Sequence, residues 1–129
     1  MIDPDDFLRL AKMLAAESFA KNEAALRTAI SRAYYSSFLK CKMFAVENGQ
    51  IQLREYDRPE HPRPGEIHRA VRDALFEIDY GRIAAKLKGL FDMRVTADYR
   101  HQDTVDNRAA GEAINLSEDI KRLVDEVRA

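Results

Sequence analysis

Apolar residues recur every three or four positions along most of this chain, which is the spacing of one face of an α-helix. Near the start the pattern runs from Phe7 to Ala15, with Asp3 placed to cap the first turn and Pro4 to occupy the first helical position. A longer run extends from Asn22 to about Glu47 and stops at the Asn48-Gly49 pair. The pattern therefore predicts two helices in the first half, the second of them long and central.

The second half of the chain predicts three more helices. One runs from Glu66 to about Ile78, and Gly81 separates it from a fourth. The last helix takes Thr104 as its N-cap and carries an apolar stripe from Ala109 to Val127. Alternation with a period of two residues is absent, so no strand is expected. We expect a single all-α domain over residues 1–129, an up-down bundle of four to five helices.

A segment rich in proline separates the two halves. Residues 48–65 contain Pro59, Pro62 and Pro64 among alternating charges. Such a composition cannot hold a regular element, and the segment is longer than most connections in a compact domain. We therefore expect a long loop there, either mobile or functional.

Composition and charge narrow the class of protein. A hydrophobic content of 46% over 129 residues is enough for one core, and a formal net charge of −1 excludes the basic field of a protein that coats nucleic acid. The single cysteine, Cys41, allows no internal disulfide, and no Cys/His group has the spacing of a zinc site. No apolar run approaches the roughly 20 residues of a membrane span. We expect a cytoplasmic domain without metal, cofactor or membrane contact, whose contact with RNA would have to be local.

The side chains most suited to chemistry lie near the end of the fourth helix. Arg94, Asp98 and His101 follow each other at intervals of four and three, so they share one helical face if the helix continues that far. An ion pair between Arg94 and Asp98 is the simplest explanation of this spacing. The alternative is an RNA-cleaving site, in which the guanidinium holds a phosphate and a neutral imidazole moves the proton of a ribose 2′-hydroxyl. Scission needs both a base and an acid, and a two-fold dimer would supply a second histidine.

Two further places are candidates for the lining of such a cleft. On the second helix, Arg32 and Tyr35 lie in an aromatic run that is otherwise typical of a core or interface stripe. At the start of the third helix, His68 and Arg72 are four residues apart, so they face one side and are either solvated or extend a surface for phosphate. Acidic residues nearly balance the basic ones nearby, so the electrostatic signal for RNA is weak.

Three stretches carry a more specific signal than the helical pattern. They are SRAYYSSFLKCKMFA on the second helix, IHRAVRDALFE on the third and AAKLKGLFDMRVTADYRH on the fourth. Together they resemble the HEPN domain (higher eukaryotes and prokaryotes nucleotide-binding), particularly its small prokaryotic single-domain members, from about Arg27 to Val127. The resemblance implies a helical bundle that pairs as a homodimer across the face bearing the arginine motif. Many such relatives are toxins partnered with a minimal nucleotidyltransferase antitoxin, and many are metal-independent RNases.

The resemblance also implies roles for individual residues. The RNase signature of the family is an arginine and a histidine with four to six residues between them, which Arg94 and His101 match with six. Arg94 would neutralise the scissile phosphate, His101 would act as acid or base, and Tyr99 would position the substrate or the histidine. The products would carry 2′,3′-cyclic phosphate and 5′-hydroxyl ends. Val95 stands where active relatives usually carry a polar residue, so the alternative is a non-catalytic HEPN protein that binds a nucleotidyltransferase, RNA or a nucleotide.

Overall fold

The computed structural model describes residues 2–16, 21–49, 66–78 and 80–128. Within these ranges the secondary structure is helical, without strands, and its elements are α1 (Pro4–Leu14), α2 (Glu23–Glu47), α3 (Glu66–Glu77), α4 (Gly81–Tyr99) and α5 (Asn107–Arg128). The prediction of an all-α bundle is confirmed. The loop predicted at residues 48–65 lies outside the described residues, apart from residues 48 and 49 in the turn that follows α2. No helix in the described ranges is both long and apolar enough to cross a membrane.

Side-chain caps determine where the first two helices begin. Asp3 accepts a hydrogen bond from the backbone N–H of Asp5 at 2.9 Å, and Pro4 follows it as the first helical residue. Asn22 caps α2 in the same manner, through the backbone N–H of Ala25 at 3.1 Å. Both helices therefore begin where the sequence predicts.

The cap of α5 differs from the prediction. The helix begins at Asn107 rather than directly after Thr104, and the carboxylate of Asp106 accepts the backbone N–H of Ala109 at 2.9 Å. Thr104 lies exposed before that cap. An aspartate satisfies a free donor of the first turn and also places a negative charge at the positive end of the helix dipole. The prediction of Thr104 as N-cap was wrong by two positions for this reason.

The long α2 helix is the centre of the bundle, because each of the other four helices packs against it. Its buried apolar residues lie on several sides: Leu26, Ala29, Ile30, Ala33, Tyr34, Phe38, Cys41, Phe44 and Ala45. A helix that is covered on several sides carries apolar residues all round instead of in one stripe.

Polar contacts in and around the core tie α1 and α5 to α2. Ser37 Oγ donates a hydrogen bond to Ser117 Oγ at 2.8 Å, with both residues buried. The side chain of Lys40 is only 10% exposed and pairs with Asp5 at 3.3 Å and with Asp125 at 2.9 Å. The part of α2 that contacts α3 and α4 carries the candidate site.

Candidate functional site

Arginines from three helices border one group of aromatic rings. The guanidinium of Arg32, on α2, lies 4.8 Å from the ring centre of Tyr35, and that of Arg94, on α4, lies 5.8 Å from the same ring. Arg72, on α3, lies 4.9 Å from the ring centre of Phe91. A ring face attracts a guanidinium through its quadrupole, but it offers no hydrogen-bond acceptor in the plane of the cation. The rings therefore hold these arginines without neutralising them.

Each of these three arginines also has one buried nitrogen that lacks a hydrogen-bond acceptor among the described residues. The atoms are Nε of Arg32, Nη1 of Arg72 and Nε of Arg94. The side chain of Arg94 is only 14% exposed, and the other two are half-buried. A buried donor without a partner costs free energy, so an acceptor that reached the nitrogens of Arg32 and Arg72 would stabilise them, whereas Nε of Arg94 already has the carboxylate of Asp98 beside it.

The carboxylate of Asp98 connects two of the arginines. Its Oδ2 lies 2.9 Å from Nε of Arg94, four residues earlier on α4, which confirms the predicted intrahelical ion pair. The same oxygen accepts a hydrogen bond from Ser31 Oγ at 3.2 Å, and Ser31 Oγ accepts one from Arg32 at 3.2 Å. The Nε–H bond of Arg94 is not directed at the carboxylate, so the contact is ionic and not a hydrogen bond.

A buried tyrosine and a half-buried histidine lie under the arginines. Tyr34 is fully buried, and its hydroxyl shares a hydrogen bond with Nδ1 of His68. Burial, followed by the positive charges of Arg94, Arg72 and Lys42, lowers the pKa of His68 to about 4. Burial also raises the pKa of Tyr34. Both side chains are therefore neutral near pH 7 and do not offset the charge of the arginines.

The neutral state of His68 predicts a pH-dependent stability. Because its folded pKa of about 4 lies below the ordinary value of 6.5, the unfolded chain takes up the proton first as the pH falls. The folded state should lose on the order of 1–2 kcal/mol between about pH 6.5 and pH 4, after allowance for solvent screening at a half-buried site. Chemical denaturation of a His68→Gln variant should show a smaller loss over this range. Equal losses in the variant and the unchanged protein would contradict a buried neutral histidine.

His101 lies beyond α4 and not on it. The helix ends at Tyr99, so the helical spacing that would align His101 with Arg94 stops two residues short. The exposed imidazole turns back toward the helix, where Nε2 lies 2.8 Å from the carbonyl oxygen of Asp98. A carbonyl oxygen only accepts, so Nε2 carries the proton and the lone pair of the neutral ring is on Nδ1. This tautomer can accept a proton through Nδ1.

The exposed ring of Tyr99 links Arg94 to the segment that carries His101. The residue is 65% exposed, and the centre of its ring lies 5.3 Å from the guanidinium of Arg94. Residues 99–103 line a surface depression of about 440 Å³. An exposed aromatic ring beside a guanidinium offers a stacking face for a nucleobase close to a site for its phosphate.

Arg27, which is not among the residues singled out from the sequence, holds the segment that carries His101. It lies on α2 and donates hydrogen bonds to five backbone carbonyl groups at the end of α4 and just beyond it. These belong to Thr96, Ala97, Arg100, His101 and Asp103. The last carbonyls of a helix have no partner within it, so this guanidinium acts as a C-cap supplied by another helix.

Glu23 completes this arrangement. Its Oε1 lies 3.0 Å from Nη2 of Arg27, four residues later on α2. The same oxygen accepts a hydrogen bond from the backbone N–H of Val105 at 3.1 Å. The hydrogen bond from Val105, followed by that from Arg27, lowers the pKa of Glu23. The sequence signals for this contact are the four-residue spacing of Glu23 and Arg27 and the lack of a basic residue in the last turn of α4.

The structure brings together six of the eight residues singled out from the sequence. These are Arg32, Tyr35, His68, Arg72, Arg94 and Asp98. Tyr99 and His101 lie at the end of α4, at the edge of this cluster. His68 is partly buried, which argues against the interpretation of the His68 and Arg72 pair as simply solvated. Within the described ranges, no three His, Cys, Asp or Glu side chains converge in a way that could hold a metal ion.

Comparison with known proteins adds one relative. Over 130 aligned residues, 92% of this chain and 76% of the other protein, the sequence is 27% identical to an uncharacterised protein of Methanocaldococcus jannaschii. No family model and no solved structure matches the chain. The archaeal protein is uncharacterised, so the similarity assigns no function to this chain.

Proposed function

We propose that this chain is a HEPN-type toxin that cleaves RNA as a homodimer and without a metal ion, through Arg94 and His101. The observation that carries the proposal is the arrangement at the end of α4. There the guanidinium of Arg94 lies against the exposed ring of Tyr99, and Nε2 of His101 is held at the carbonyl oxygen of Asp98, which leaves Nδ1 free for proton transfer. Phosphate binding, base stacking and proton abstraction require these three kinds of group.

In this proposal Arg94 binds the scissile phosphodiester and stabilises the charge that builds on its oxygens. Nδ1 of His101 removes the proton of the ribose 2′-hydroxyl, and the 2′-oxygen attacks phosphorus. The bond from phosphorus to the 5′-oxygen of the next nucleotide breaks, and the protonated imidazole of the second subunit gives its proton to that oxygen. The products carry a 2′,3′-cyclic phosphate and a 5′-hydroxyl, so atoms and charges balance without a cofactor.

A second function is favoured by the burial of Arg94 and by the apolar Val95 that follows it. A non-catalytic protein would use the same arginines to bind RNA, a nucleotide or a minimal nucleotidyltransferase antitoxin. In that case the arginines contribute affinity, and His101 contributes little.

RNA incubated with the purified protein in the presence of a chelator tests the proposal. We expect fragments whose 5′ ends accept phosphate from a kinase without prior dephosphorylation and whose 3′ ends are blocked as cyclic phosphates. Light scattering on the same sample should give the mass of a dimer. If the protein is a dimer that binds RNA and leaves it intact, the second function is correct and cleavage is rejected. If it is a monomer that neither binds nor cleaves RNA, both functions are rejected.

A further inference from the structure

Arg72 and His68 lie on α3 and have no part in the cleavage step proposed above. Arg72 rests against Phe91 at 4.9 Å from the ring centre, and His68 shares its hydrogen bond with Tyr34. Nη1 of Arg72 is buried and lacks an acceptor among the described residues. An arginine that served packing alone could keep its guanidinium nitrogens in solvent, because its aliphatic stem can cover a ring without burying the charged group.

The rings that support Arg72 and Arg94 adjoin each other. Tyr34 and Phe91 have ring centres 5.6 Å apart, and the ring of His68 lies 5.6 Å from Tyr34 and 5.9 Å from Phe91. Arg72 approaches this group from the Phe91 side, and Arg94 lies 5.9 Å from the ring centre of Tyr34. Two guanidinium groups on adjoining rings are placed to contact one anion or two neighbouring ones.

Among the described residues, three cations act on the imidazole of His68. His68 is faced by Tyr34 and Lys42 from α2, by Arg72 from α3 and by Arg94 from α4, and the three cations all disfavour its protonation. The carboxylate of this cluster, Asp98, contacts Arg94 and not Arg72. Like charges held together in a partly desolvated place destabilise a fold, and a bound anion removes that cost.

We propose that Arg72, beside the rings of Phe91 and His68, forms a second phosphate-binding position next to the phosphate that Arg94 holds. His68 contributes as a neutral partner that adds no charge of its own. The identification of the ligand as the RNA backbone rests on the proposed function, whereas the affinity for a phosphate group rests on the cluster alone. On RNA the site would hold a phosphate near the one that is cut and so fix the register of the strand.

Two probes separate the possible sources of the phosphate. The first is inorganic phosphate, and the second is a 2′-O-methylated RNA trinucleotide, which cannot be cleaved because it lacks the attacking hydroxyl. Binding of each is measured by titration calorimetry with the full chain. In the Arg72→Gln variant, we expect affinity for both probes to fall by about tenfold or more, since a charge-assisted contact is lost.

Arg69→Gln is the matched control for this substitution. Arg69 lies on the same helix three residues earlier, and its side chain is 80% exposed and pairs with Asp73 at 3.8 Å. Its loss removes the same charge from α3 and should change the affinity by less than about twofold. Arg72→Lys keeps the charge without the planar fork and should bind with intermediate affinity, even if the glutamine variant proves poorly folded.

The pKa of His68 gives a second measurement that simple packing would not change. The trinucleotide keeps its phosphodiester charges between pH 4 and pH 7, so its binding should raise the pKa of His68 from about 4, as followed by NMR of the assigned imidazole.

The proposed site would be overturned if Arg72→Gln, Arg69→Gln and the unchanged protein bound the probes equally and the pKa of His68 did not change. A protein that binds both probes through Arg72 but never cuts RNA would reject cleavage and keep the site. Cleavage unaffected by Arg72→Gln, with unchanged binding, would reject the site alone.

Discussion

Replacing His101 with alanine is expected to lower the rate of RNA cleavage by roughly 10²- to 10⁴-fold, the range that follows the loss of a general acid or base. The side chain is exposed, and its ring is hydrogen-bonded to the carbonyl of Asp98 at the end of α4. Removing it takes away little packing, so the free energy of unfolding should change by less than about 0.5 kcal/mol. The rate is measured on a labelled RNA in chelator, and the folded fraction by circular dichroism.

Thr104→Ala is the matched control for this experiment. Thr104 is exposed in the same segment, three residues after His101, and should be replaced without loss of cleavage. Cleavage that persists in His101→Ala would contradict the role given to the imidazole. Binding of RNA that persists while cleavage is lost would agree with it, because Arg94 is untouched.

Mixed dimers extend the same prediction to the second subunit. If one reaction needs His101 from both chains, only dimers of two unchanged chains are active, and an equal mixture with His101→Ala should retain about one quarter of the activity. If each subunit cleaves by itself, about one half remains. The two chains are co-expressed or refolded together so that subunits exchange at constant total protein. A linear decrease of activity with the variant fraction would therefore reject a composite cleft.

The start of each of the first two helices was predictable because the information is local. The caps Asp3 and Asn22 satisfy donors two or three residues away. The ion pair of Arg94 and Asp98 was predictable for the same reason, since residues four apart meet on any helix. The position of His101 depends on where α4 ends, and that end is stabilised from α2 by contacts across 69 to 76 residues of sequence.

The environment of His68 was also beyond the reach of local pattern. Its spacing from Arg72 indicates only that the two side chains share one side of α3. Whether that side is solvated depends on Tyr34 and Phe91, which come from α2 and α4 and cover the imidazole. Periodicity therefore predicted the elements and the direction of side chains, while packing between helices determined burial and charge state.

Arg27 should contribute strongly to the stability of this protein. Replacing it with alanine is expected to lower the free energy of unfolding by about 2–4 kcal/mol, because several charge-assisted hydrogen bonds lose their donor. Its side chain is only 14% exposed, so water replaces it incompletely. The last turn of α4 has no basic residue of its own, so no cation from that turn remains at the negative end of the helix dipole.

The control for Arg27→Ala is Arg108→Ala. Arg108 also pairs with a glutamate four residues away, Glu112 at 3.3 Å, but its side chain is 87% exposed, so it has no comparable burial. Its loss should cost less than about 0.5 kcal/mol. Arg27→Lys keeps the charge but not the planar fork that reaches several carbonyls at once, and should recover less than half of the lost stability.

Hydrogen exchange and cleavage kinetics connect Arg27 to the position of His101. Amides of residues 100–105 should exchange faster in Arg27→Lys than in the unchanged protein, while those in the middle of α2 keep their protection. Because Arg94 is unchanged in that variant, the proposed function predicts that kcat falls while the affinity for uncleavable RNA changes little. Two results would contradict this role of Arg27: Arg27→Ala that unfolds no more easily than Arg108→Ala, or unchanged exchange at residues 100–105. In either case Arg27 does not hold this segment, and the carbonyl of Asp98 alone positions His101.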